Sequence, residues 1–81
     1  MDNEDTKFKR YLLGELYWEL EQHAHLSSPF AGVSRESVEV LTFHGYDDLR
    51  VRVAGVTYDI HLSWKKAAPP VIARVEDTNA A

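Results

Sequence analysis

The chain has 81 residues, 44% of them hydrophobic, with a formal net charge of −4 and no cysteine. These values fit one small globular domain, 1–81, rather than a disordered chain, and a domain this small buries only about 60–65% of its unfolded surface. The lack of cysteine excludes disulfide staples and thiolate zinc sites, and the acidic balance disfavours nonspecific binding to nucleic acid.

No apolar run approaches the roughly 20 residues of a membrane-spanning helix, and the opening "MDNEDTKFKR" lacks the apolar core of a signal peptide. The expectation is a cytoplasmic protein with no membrane partner.

The first third reads as a helix over about residues 4–26. Asp2, Asn3, Glu4 and Asp5 offer N-caps and negative charge where the helix dipole favours it, and Pro29 drives Ser28 out of the α region. At about 100° per residue, Leu12, Leu13, Leu16, Tyr17, Leu20 and Ala24 share one arc of about 140°. Tyr11, Trp18 and His25, spaced by seven, fall together on the opposite side. Gly14 lies one turn before Trp18, where a helical indole leans. Glycine there costs about 1 kcal/mol relative to alanine, a cost that room for a packed indole or an approaching partner would offset. The stripe thus reads as a second buried face, covered by this chain or by another protein.

"SSPFAGVSRES" is a connecting loop, and "SVEVLTFHGYDD" carries a strand at about 37–43. In "LRVRVAGVTYDIHLSW" two alternating runs, about 48–54 and 56–64, flank Ala54-Gly55 as a hairpin. That turn sets Val53 opposite Val56, Arg50 opposite Asp59 and Asp48 opposite His61, so opposite charges meet on the polar face.

A four-residue loop at 44–47 sets Glu39 opposite Arg52 and sends Val38 and Val40 to the core. Leu41 and Phe43 then sit on the outer face beside Arg50 and Arg52. A one-residue slip reverses the two pairs. Either way an apolar pair on the outer face needs cover from another chain or from residues 67–75. "VIARV", 71–75, is a short edge strand or a strap, and 76–81 a mobile tail. The expected fold class is α+β: one N-terminal helix on a three- or four-stranded antiparallel meander, in two layers.

Chemistry-bearing motifs are sparse. With no Gly-rich phosphate loop and no nucleophile beside a base and an orienting group, neither an enzyme nor a cofactor is expected. His23 and His25 cannot chelate together from one helix. His44, Asp48 and His61 converge only in the slipped register, so surface polar pairing is expected there rather than a metal. The leading expectation is a non-enzymatic protein-binding domain, a homodimer or an inhibitor or adaptor of a larger protein. Its contacts would come from Tyr11, Gly14, Trp18, His25, Leu41 and Phe43. The resemblance of such small acidic chains to phage and bacterial accessory proteins is one of size and charge alone. The alternative is a weak nucleic-acid binder using Arg50, Arg52 and Phe43 on the open sheet face, although Glu39 and Asp59 oppose those arginines.

Overall fold

A computed structural model describes residues 3–65 and 68–75; the tail at 76–81 and the N-cap candidate Asp2 lie outside them. Helix α1 spans Asn3–Gln22, with Glu4 and Asp5 in its first turn where the dipole stabilises them. After a 3-10 turn at Arg35–Ser37 come β1 (Glu39–His44), β2 (Asp48–Val53), β3 (Val56–His61) and β4 (Val71–Arg74). The four strands form an antiparallel meander in the order β1-β2-β3-β4, so the fold is α+β as expected. Segment 71–74 is the edge strand of the sheet, pairing Val71 with His61 and Arg74 with Tyr58, and does not strap the outer face.

One face of the sheet is buried under the helix. Leu12, Leu13 and Leu16 meet Val38, Leu49, Val51, Val53, Ile60 and Leu62, each worth about 1.5–3 kcal/mol when fully buried. Phe30, from the connecting loop, completes this core, with its ring centroid 6.3 Å from Tyr17 and 5.8 Å from Tyr58. The Tyr17 hydroxyl donates to the Val33 carbonyl at 2.7 Å and ties the loop to the helix.

That loop explains why the helix stops at Gln22 and not at residue 26. His23 N–H donates to the Leu20 carbonyl, three residues back, and Leu26 N–H donates to His23 in a further turn. The chain leaves the helix axis there to return Phe30 to the core. Ala24 and His25 are therefore not on the helix.

The hairpin has the expected register, Asp48↔His61, Arg50↔Asp59 and Val53↔Val56. Ala54 and Gly55 have φ of 53° and 80°, the double positive-φ turn that matches the twist of the flanking strands. The strands are shorter than the alternation suggests, ending at Val53 and His61.

Strand β1 departs from both simple registers. Glu39 pairs with Arg52 and Val40 with Val51; beyond a bulge, Thr42 pairs with Arg50, Phe43 with Leu49 and His44 with Asp48. The extra residue is Leu41, and it inverts the alternation. Each register considered from the sequence thus holds on one side of the bulge. Val38, Val40 and Phe43 all pack toward the helix, which a regular strand would forbid, and only Leu41 stays outside the core, half-buried. The outer face needs no second layer to cover an apolar pair. Among the described residues, no helix is long and apolar enough to cross a membrane.

Candidate interaction surface

Glu19 is the side chain that shapes the solvent-facing surface. On the helix it lies about 20° from Leu12, at the edge of the apolar arc and between Leu12 and Phe8, and it is fully buried. A buried carboxylate must be hydrogen-bonded. Glu19 Oε1 accepts from Ser63 N–H at 3.1 Å, and Oε2 accepts from Trp64 N–H at 2.8 Å. The Ser63 hydroxyl lies 3.2 Å from Glu19 Oε1 and 2.7 Å from the Ala68 carbonyl, closing the turn that follows β3.

The clamp changes the fate of Trp64. Alternation from Val56 onward makes it a core residue, but the strand ends at His61 and Leu62 is the last side chain to reach the core. Trp64 adopts φ of 58°, a left-handed conformation that costs a bulky residue about 1–2 kcal/mol. Its ring faces solvent, with 41% exposure.

Aromatic rings continue from there. The Trp64 ring lies 6.1 Å from Tyr11, and Tyr11 stacks on Phe8 at 6.0 Å. Phe8 in turn meets Phe43 edge-on at 4.9 Å and Tyr46 at 5.3 Å. The five rings rise from the core to the surface, where Tyr11 is 55% exposed and Tyr46, in the β1–β2 turn, 70%. Clustered exposed aromatics on a rigid base are the usual anchors of protein interfaces.

Glu15 shares this ridge, one helical turn from both Tyr11 and Glu19. Partial burial pushes its carboxyl pKa up, and the charge of Glu19 acts in the same direction. Among the described residues the ion pairs are Lys9–Asp5, Arg50–Asp59 and His61 with Asp47 and Asp48; Glu15 is in none.

Of the expected stripe, Tyr11 and Trp18 keep a common side of the helix, although their neighbours differ. Tyr11 joins Trp64, whereas Trp18 borders a separate groove of about 600 Å³ between the helix and the connecting loop, with Leu26 and Arg35. His25 is beyond the helix end. The room at Gly14 belongs to Arg35, whose Nη1 would lie 3.2 Å from an added Cβ, and not to the Trp18 indole.

The outer sheet face is polar. Arg50 forks onto Asp59 at 2.7 and 3.1 Å, a bond that holds the Asp59 carboxyl below its ordinary range. Arg52 pairs across the strands with Glu39. Phe43 lies on the other side of the sheet, so the constellation Arg50, Arg52 and Phe43 is split. His44 does face Asp48, but the atoms that converge are those of Asp47, Asp48 and His61, within 4.8 Å of one another. His61 Nδ1 is bonded to Asp48 at 2.7 Å, which raises the imidazole pKa, helped by the charges of Asp48 and Asp47. These three groups satisfy one another.

Phe8, Glu19, Tyr46 and Trp64 are the surface-building residues that the sequence reading passes over. A signal existed for two of them: Glu19 interrupts the apolar arc, and Phe8 extends it one turn before Leu12. Searches against family models, curated proteins and solved structures find no match to this chain.

Proposed function

We propose that this chain is a non-enzymatic protein-binding domain, and that it engages its partner through the ridge formed by Tyr11, Trp64 and Tyr46. The observation that carries this reading is Trp64: an exposed indole held in a costly backbone conformation by a buried carboxylate. Strain of this kind persists only where the surrounding structure over-determines it, and it clusters at functional surfaces. A ring fixed in advance loses little freedom on binding, which favours affinity. Trp18 and Leu26, at the neighbouring groove, extend the available apolar area.

The test is selection of a displayed random-peptide library on the full chain, with counter-selection on a Tyr11→Ala/Trp64→Ala variant. Both side chains are substantially exposed, so the variant should fold, as circular dichroism would verify. Selected peptides should bind Trp64→Ala about thirtyfold more weakly, the loss expected of an interface anchor worth about 2 kcal/mol. Binders indifferent to both substitutions would refute the reading.

A further inference from the structure

Three features meet on the Tyr11–Trp64 ridge. The two rings lie against each other with their remaining surface open to solvent. Glu15 lies between Tyr11 and Glu19 on the helix, one turn from each, and Glu19 in turn holds the Trp64 backbone. Two carboxyl-bearing side chains are therefore neighbours on one helix face beside the rings, close enough for the charge of Glu19 to act on Glu15, and neither forms an ion pair among the described residues. Lys7 and Lys65 flank the ridge, both exposed, and neither pairs with Glu15.

We infer that the ridge receives a cationic side chain, arginine in particular, presented by a heterologous partner protein. The guanidinium plane would stack on Trp64 or Tyr11 while its N–H groups donate to the Glu15 carboxylate. Each part of the site matches one property of that group. Aromatic faces attract cations through the ring quadrupole, most strongly for tryptophan. A planar fork of donors suits a carboxylate beside a ring better than the compact, strongly hydrated ammonium of lysine. An incoming positive charge also relieves the repulsion between Glu15 and Glu19, an unfavourable interaction in the free protein. Binding should accordingly weaken as the pH falls and Glu15 takes up a proton.

This inference rests on the protein-binding reading, and the same selected peptides separate the two. Peptides that depend on Tyr11 and Trp64 should share an arginine at one fixed position. Its replacement by citrulline, a neutral isostere, should weaken binding about tenfold or more. Glu15→Gln, in a protein shown by circular dichroism to fold, should produce a similar loss for the arginine peptide and little further loss for the citrulline peptide. Ridge-dependent peptides without a cation, or with full affinity after citrulline replacement, would overturn the inference and leave the protein-binding reading standing. Peptides indifferent to the ridge would overturn both. Light scattering that found a wild-type dimer dissolved by Trp64→Ala would also overturn the inference, because a second copy would then occupy the ridge.

Discussion

Replacing Glu19 with alanine should destabilise the domain far more than its charge and helical position suggest. The carboxylate accepts from the backbone N–H groups of Ser63 and Trp64, and it is fully buried. A buried donor left without an acceptor costs about 1–3 kcal/mol. Both donors sit near a strand end, where water can partly reach them, so each should fall in the lower half of that range. The sum is about 2–4 kcal/mol, against a total of about 4–12 kcal/mol for a chain of this length. Glu19→Gln keeps one oxygen and sets an amide NH2 against the other donor, so about 1–2 kcal/mol is expected. Urea denaturation followed by far-UV circular dichroism would measure both. Trp64 would also lose the bond that holds its left-handed backbone, so its fluorescence should shift in Glu19→Ala under native conditions. A Glu19→Ala protein within about 0.5 kcal/mol of wild type, with unchanged Trp64 emission, would refute the clamp.

Gly14→Ala should stabilise the helix by up to about 1 kcal/mol, because the neighbour at 3.2 Å is the mobile end of an exposed Arg35, and thermal unfolding would measure the gain. Ala54→Asn should raise stability by about 0.5–1 kcal/mol, since asparagine tolerates the positive φ of this turn better than alanine; a loss in urea unfolding would contradict the turn geometry. His61 should titrate above the ordinary imidazole value of about 6.5, and Asp48→Asn should bring it down, as followed by proton NMR. Because the folded state binds that proton more tightly, the stability contributed by His61 is complete below the unfolded value and disappears as the pH rises through the folded one.

The hairpin was legible because its information is local. Ala54-Gly55 names the turn, and period two on both sides sets the register. The register of β1 was harder, since apolar residues fall at even positions up to Val40 and at odd positions through Leu41 and Phe43. That change of parity is itself the mark of a bulge, and it resolves what looks like a choice between two registers. Pro29 bounds the helix from outside only. Where it stops is decided by Phe30, whose burial depends on Tyr17 and Tyr58, distant in sequence. Trp64 is the extreme case. Everything within its own strand argues for a core position, and a carboxylate 45 residues earlier overrides it. The helix pattern places Tyr11 off the core face, but a ring that approaches it from beyond β3, Trp64, is invisible to that pattern.

The chain has two tryptophans, Trp18 and Trp64, so two indole N–H signals suffice to locate a partner. A proton–nitrogen correlation spectrum, assigned with Trp18→Phe and Trp64→Phe, would be followed while a selected arginine-bearing peptide is added. Binding on the Tyr11–Trp64 ridge should move the Trp64 indole signal and the backbone amide of Tyr11, with Trp18 affected less. Saturable binding that leaves the Trp64 and Tyr11 signals in place would contradict the ridge as the contact surface.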